Sequence, residues 1–414
     1  MTDGNDELIS RDDRQTLSIK RWFKAGGKGI LECCTGYGKT RVALRTIKTL
    51  KSKKEGLKVL VIVPHKQLQQ QWTLLLANDN MLGYCDVKVV NSAAKKECTC
   101  DLLVCDEIHM FASPQNIKLF RNVKHKYMLG LTATLERMDD RHLLLTKYYP
   151  VVDKISVEEA IRNKWISDYH QIRVLIDVDL TEYDGYNKEF NHHFAFFSHN
   201  FSLAMDCVDS EQSRINLALS LNRSPVEVMV HAMGFIRSMS KRKKFIQDHP
   251  MKVEVANMII NNRLKEGSKI ITFTKTIEHA EQVCCGPVYH SKMKKLEKDK
   301  ILKEFNNATT GVLNTGKALD VGSDLKGITT AIVLSGDSSK TTKSQRSGRA
   351  LRFAEGKTAE IFHLVLAGTQ DERWFTASND ERKFITIRYT DLERYLQGEY
   401  VKPVEKEQEF TVLL

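Results

Sequence analysis

A chain of 414 residues has room for two or three domains. Its 42% hydrophobic and 28% charged residues are the balance of a soluble globular protein, with no apolar run near the ~20 residues a membrane-spanning helix needs. The acidic, polar start MTDGNDELISRDDR is no secretory signal, so a cytoplasmic protein without a membrane partner is expected.

A net charge of +11 and a pI near 9.0 favour a polyanionic partner, nucleic acid above all. A generally lysine-rich surface is the alternative. The nine cysteines follow no regular pattern: Cys33-Cys34 and Cys284-Cys285 are adjacent, and Cys98 and Cys100 stand one residue apart. None has zinc-ribbon spacing. They read as small apolar residues in a reducing compartment.

Taken in order, Leu17 to Phe23 predicts an amphipathic helix preceded by Gln15, whose amide can read an adenine edge or simply start a helix. GILECCTGYGKTRV, residues 29–42, predicts a strand, a glycine-bearing loop and a helix. The loop residues Thr35, Gly36, Tyr37 and Gly38 would turn their N–H groups toward a phosphate. Lys39 would reach the β- and γ-phosphates, and the Thr40 hydroxyl would hold Mg²⁺. Cys33 stands where the strict phosphate-loop pattern has glycine.

KVLVIVP, residues 58–64, predicts a strand buried on both faces, and Gln67 to Ala77 a helix containing Gln71-Trp72. Asp101 to His109, DLLVCDEIH, predicts a strand delivering Asp106 and Glu107 at its carboxyl end, where α/β sheets place their chemistry. Two such carboxylates suit phosphoryl transfer, one on the metal and one on the attacking water. A further strand, Tyr127 to Thr134, ends in Thr132, Ala133 and Thr134. After Pro150 come a helix, Val157 to Asn163, and an apolar stretch, Ile172 to Val178. Strands alternating with helices predict a parallel, doubly wound sheet.

From about Leu180 to Pro250 the pattern becomes helical and aromatic. Phe190, Phe194, Phe196, Phe197 and Phe201 read as packing rather than as a base-stacking surface. His192, His193 and His199 have no carboxylate or cysteine at ligand spacing, so metal is not expected there. Lys241 to Lys244 is a basic run, either a solvated face or a phosphate contact through Lys241 and Arg242. A second α/β series follows: a helix over Val253 to Leu264, strands at Lys269 to Thr274, Val288 to His290, Gly311 to Asn314, Thr329 to Leu334 and Ala359 to Leu366. Between them lie TGKALDVGSD, residues 315–324, and QRSGRALR, residues 345–352. The latter spaces Arg346, Arg349 and Arg352 along one helix face, suited to charge on a transferring phosphoryl group.

As an ordered set these segments resemble the superfamily 2 DExH helicases over nearly the whole chain. Gln15 matches the Q motif, TGYGKT motif I, VPHKQLQQQW motif Ia, DEIH motif II and TAT motif III. ITFTKT, TGKALDVGSD and QRSGRALR match motifs IV, V and VI. QQQW, LTATLERMDD and VEEAIRNKWISDY resemble the XPB-like branch, which includes phage UvsW-type branch-migration helicases and restriction-enzyme motors. Tyr37 departs from the alanine or serine common at its position.

The resemblance implies two RecA-like doubly wound parallel-sheet domains with a mainly helical insertion: residues 1–175, 176–250 and 251–390, then a tail, 391–414. It implies ATP and Mg²⁺ as cofactors, with Thr40 and Asp106 on the metal and Glu107 activating water. Thr132 and Thr134 would couple hydrolysis to movement. Gly322 and Asp324 would approach the nucleotide, Arg349 and Arg352 would act as arginine fingers, and Gln345 would place the water or γ-phosphate. Pro64, His65, Thr274 and Thr315 are candidate nucleic-acid contacts beside Lys241 and Arg242. The implied activity is an ATP-dependent DNA helicase or translocase on forked and junction DNA in recombination, replication or repair. An RNA helicase stays open, and Lys39, Glu107, Arg349 and Arg352 weigh against a non-catalytic binding module.

Overall fold

The computed structural model describes residues 8–113, 115–136, 141–166, 168–316, 325–336, 358–378, 384–401 and 403. The amino-terminal part holds six strands: β1 (Lys28–Cys33), β2 (Val59–Val63), β3 (Cys85–Val89), β4 (Cys98–Asp106), β5 (Val123–Thr132) and β6 (Val151–Ile155). All pair in parallel, in the order β3-β2-β4-β5-β1-β6. Apolar residues along β2 alternate between two cores. Val59, Val61 and Val63 join one with Leu31 and Val104, and Leu60 and Ile62 the other with Ile30 and Cys105. That two-sided burial is why the strand is apolar without interruption. The covering helices are α1 (Arg11–Lys24), α2 (Lys39–Lys51), α3 (Lys66–Asn78), α4 (Val90–Ala93), α5 (Leu119–Asn122), α6 (His142–Thr146) and α7 (Val157–Arg162).

The second sheet has seven strands: β7 (Tyr169–Ile176), β8 (Lys269–Thr274), β9 (Val288–His290), β10 (Gly311–Gly316), β11 (Thr330–Val333), β12 (Ala359–Leu366) and β13 (Ile385–Arg388). Their order is β13-β7-β12-β11-β8-β10-β9, again parallel. β7 corrects the expected boundary at residue 175. It pairs with β12 along its full length and with β13, so the strand belongs to the second sheet. An apolar strand is apolar in either sheet, and nothing local assigns it. The expected tail beyond 390 also packs in part. Leu392 and Leu396, in the short helix Leu392–Leu396, join the core that holds Ile172, Val174 and Ile176 of β7 and Ile387 of β13.

Between β7 and β8, two strands of the second sheet, run four helices: α8 (Thr181–Phe196), α9 (Phe201–Asp209), α10 (Glu211–Leu221) and α11 (Pro225–Gln247). They share a core of their own, with Phe197, Ala204, Cys207, Val228 and Phe235 buried and Phe190, Phe194 and Phe196 packed against it. Phe190, Phe194, Phe196 and Phe197 are therefore packing residues, whereas Phe201 is exposed, with one ring edge against Phe235. α11 starts cleanly because the Ser224 side chain accepts from the Glu227 N–H and Pro225 occupies the first turn. Three further helices, α12 (Pro250–Lys265), α13 (Ile277–Glu281) and α14 (Lys295–Asn307), accompany the second sheet. No helix among the described residues is long and apolar enough to cross a membrane.

Candidate nucleotide site

The chemistry gathers at one edge of the first sheet because the strands are parallel. β1, β4 and β5 end side by side, with Glu32 opposite Thr132 and Asp106 opposite Leu131. The loop after β1, the acids after β4 and the hydroxyls after β5 thus share the carboxyl edge. In the loop, Gly36 and Gly38 have φ of +88° and +97°, where a side chain is strained. A Cβ on Gly38 would also lie 2.8 Å from Gln15 Nε2. Lys39 opens α2, and its Nζ lies 3.4 Å from the Cys33 carbonyl oxygen.

Tyr37, the unexplained departure in the sequence, is a fully buried anchor. Its hydroxyl lies 3.1 Å from Ser18 Oγ, and its ring packs 5.6 Å from that of Trp165. Burial pushes its hydroxyl up to about 12. Gln15 donates from Nε2 to the Tyr37 carbonyl at 3.0 Å and accepts from Arg45 at 3.3 Å. One end of its amide thus supports the loop and the other the helix that follows it. α1 is itself fixed by Arg14, which donates to Asp153 of β6 at 2.6 Å and to Glu159 of α7 at 2.6 Å. β6 escaped the sequence reading because its buried central residue is an acid.

Asp106 ends β4 and is buried. Trp72 Nε1 donates to its Oδ2 at 2.8 Å, and the Glu107 N–H to its Oδ1 at 3.0 Å. Burial, then the neighbouring Glu107 charge, pushes the carboxyl up to about 6. Glu107 adopts φ +50°, an uncommon conformation for a residue with a side chain. His109 Nδ1 lies 3.4 Å from Glu107 Oε2 and 2.9 Å from Thr132 Oγ1. The Thr132 hydroxyl donates to the Thr134 carbonyl at 2.8 Å, so His109 is the donor to Thr132. His109 thus stands between the acidic pair and the residues around Ala133, hydrogen-bonded to Thr132 and in contact with Glu107. Trp72 and His109 are the supporting groups whose roles the sequence reading missed. The buried Trp in QQQW and the His of DEIH were the available signals.

The site fits a magnesium-bound triphosphate. Thr35 Oγ1 in the loop and Glu107 Oε2 are buried without a hydrogen-bond partner among the described residues, which calls for a ligand, ion or water. Lys39 and Thr40 supply a cation and a hydroxyl, and Asp106 an oxygen suited to a hard ion.

The other candidates divide. Pro64 follows β2, next to β4 in the sheet, and His65 caps α3 by accepting from the Leu68 N–H at 3.3 Å. Thr274 and Thr315 are buried, and their hydroxyls donate to backbone carbonyls, Thr315 to Thr272 at 2.6 Å. Their hydroxyls tie β8 to β10, so a nucleic-acid contact at these two positions would not run through the side-chain hydroxyls. Lys241 pairs with Glu189 at 3.1 Å, and the Arg242 guanidinium lies 4.2 Å from the Phe190 ring centroid. Both face α8, and Lys243 and Lys244 are the exposed members of that run. Gly322, Asp324, Gln345, Arg349 and Arg352 lie outside the described residues.

Two family models match in tandem: "Type III restriction enzyme, res subunit" over residues 9–98 and "Helicase conserved C-terminal domain" over residues 251–354. The DNA 3'-5' translocase XPB2 of Sulfurisphaera tokodaii is 27% identical over 390 residues, covering 89% of this chain and 84% of that protein. A putative ATP-dependent RNA helicase, QP509L of African swine fever virus, is 34% identical over 145 residues, 29% of this chain and 27% of that one. Among solved structures, the Pyrococcus furiosus Hef helicase domain aligns with a TM-score of 0.51 at 15% identity, covering 90% of this chain and 100% of that one. That likeness establishes two RecA-like domains. The two matched helicase regions on one polypeptide, with the similarity to a translocase along most of the chain, support an ATP-hydrolysing helicase enzyme.

Proposed function

We propose that the chain is an ATP-dependent DNA translocase of the XPB-like branch, acting on forked and junction DNA in recombination, replication or repair. The observation that carries this reading is the similarity to a DNA translocase along most of both chains. The basic charge of +11 suits a polyanionic track.

In this reading Lys39 and the loop N–H groups hold the β- and γ-phosphates, and Thr40 and Asp106 hold Mg²⁺. The metal would neutralise charge developing on the phosphate oxygens. Trp72 keeps Asp106 oriented, and Glu107 positions the attacking water and takes its proton. His109 relays the state of Glu107 to Thr132 and Thr134. Arg349 and Arg352 would complete the pocket from the second domain, so that closure follows from tighter nucleotide binding in the closed form.

Lys39→Ala should abolish ATP hydrolysis while leaving DNA binding largely intact, and full hydrolysis in that variant would refute the assignment. The QP509L similarity supports an RNA helicase as the second reading. ATPase stimulation by branched DNA, duplex DNA and RNA separates the two, and stronger stimulation by RNA would overturn the DNA proposal.

A further inference from the structure

Outside the nucleotide site, α8 and α11 bring three imidazoles together. His192 and His193 come from α8 and His231 from α11, and one ligand nitrogen from each lies within 4.8 Å of the others. The ring centroids form a nearly equilateral triangle with sides of 5.1, 5.5 and 5.2 Å. We propose that these histidines form a site for one divalent transition ion of the zinc class, which joins α8 to α11.

One pair, which shares a hydrogen bond in the absence of an ion, already has the required separation. His193 Nδ1 and His231 Nδ1 lie 3.3 Å apart. Two nitrogens at ~2.0–2.1 Å from a tetrahedral ion are separated by about 3.3–3.4 Å. The surrounding packing makes room for these rings and holds them. A Cβ on Gly234 of α11 would fall 2.2 Å from His193 Nε2, so glycine in that helix interior leaves the volume the imidazole fills. Phe196 stacks on His231 with centroids 4.0 Å apart and planes 7° from parallel, which fixes the second ring. His192 is exposed, which leaves a solvent side for a fourth ligand.

The charges around the cluster are mixed, with Glu189 and Glu227 opposed by Arg223 and Arg237. Burial, then the neighbouring imidazoles, holds His193 and His231 below the ordinary histidine range, so both are in the neutral, metal-binding form at neutral pH. A set of nitrogens without carboxylates favours zinc, cobalt, nickel or copper over magnesium. The Mg²⁺ needed at the nucleotide site would not compete. The sequence concealed the set because the third ligand stands 38 residues beyond His193.

The test is titration of the chelator-treated full chain with Zn²⁺ and Co²⁺, followed by calorimetry, visible absorption and thermal melting. One ion per chain, a four-coordinate Co²⁺ spectrum and a higher melting temperature are expected. His231→Phe keeps an aromatic ring against Phe196 and removes the ligand. His192→Ala changes an exposed residue that the fold does not need. Each removes a ligand and should weaken binding at least as much as the loss of an outer-shell partner, by about tenfold or more, and His192→Ala should melt as the wild type does in chelator. A Cys284→Ser, Cys285→Ser double variant should bind normally, which excludes the vicinal thiols as the site. No uptake by the wild type at submillimolar metal, or unchanged affinity in both histidine variants, would overturn the proposal.

Discussion

Asp106 carries a charge in a place that resists it. Its folded value of about 6 stands above the ordinary ~3.9 of an aspartate. The folded protein therefore holds a proton that the unfolded chain releases between about pH 4 and 6, and above pH 6 the ionised group destabilises the fold in full. Asp106→Asn removes that charge and can still accept from Trp72, but its amide NH₂ then faces the Glu107 N–H, which offsets part of the gain. Without Mg²⁺ it should melt a few degrees higher than the wild type at pH 8, with the gain vanishing near pH 4. Its ATPase should fall by at least about 100-fold, through loss of the metal ligand. A variant that is both active and no more stable would show that burial does not strain this carboxylate. Trp72→Phe tests the support separately. Losing the indole N–H should raise the Mg²⁺ concentration needed for half-maximal ATPase by about 10-fold, measured by Mg²⁺ titration.

Among the elements, the loop depends on α1, and α1 depends on β6. Burial raises Asp153, but its bonds from Arg14 and Arg21 outweigh that and hold it below the usual carboxylate range. The ion pair therefore stabilises the protein above about pH 4 and is lost as pH falls through the depressed value. Asp153→Asn leaves Arg14 buried with Glu159 as its remaining carboxylate partner. It should cost about 3 kcal/mol at neutral pH, read by urea unfolding, with the difference shrinking in acid. Because α1 also carries Gln15 and Ser18, the variant should raise KM for ATP. An unchanged KM would separate this helix from the loop's geometry. Tyr37 belongs to the same arrangement: a residue that looked anomalous in a phosphate loop is where the loop is fastened to α1.

Across the whole molecule, the charge of +11 bears on the proposed track. If backbone phosphates provide most of the grip, DNA affinity should fall by about 10³ between 50 and 200 mM salt for six or more contacts. Fluorescence anisotropy with one duplex at several salt concentrations measures the slope, and a flat slope would argue against a phosphate track. The second sheet is held partly by a buried pair, Lys252 of α12 and Asp371, 2.6 Å apart. Its integrity is therefore not a matter of apolar packing alone.

The parallel sheets, the glycine-bearing loop between β1 and α2 and the acidic strand end were all legible in the linear chain. Each is written in a local pattern: an uninterrupted apolar run, glycines before Lys39-Thr40, or carboxylates after an apolar strand. Folding was needed to show that β7 joins the second sheet, that Trp72 holds Asp106, that Thr274 and Thr315 are buried, and that Lys241 and Arg242 lie against α8. It was needed also to show that His231 meets His192 and His193. These are contacts between residues far apart in the chain, and a residue's type does not specify its distant neighbour until the packed elements bring the two together.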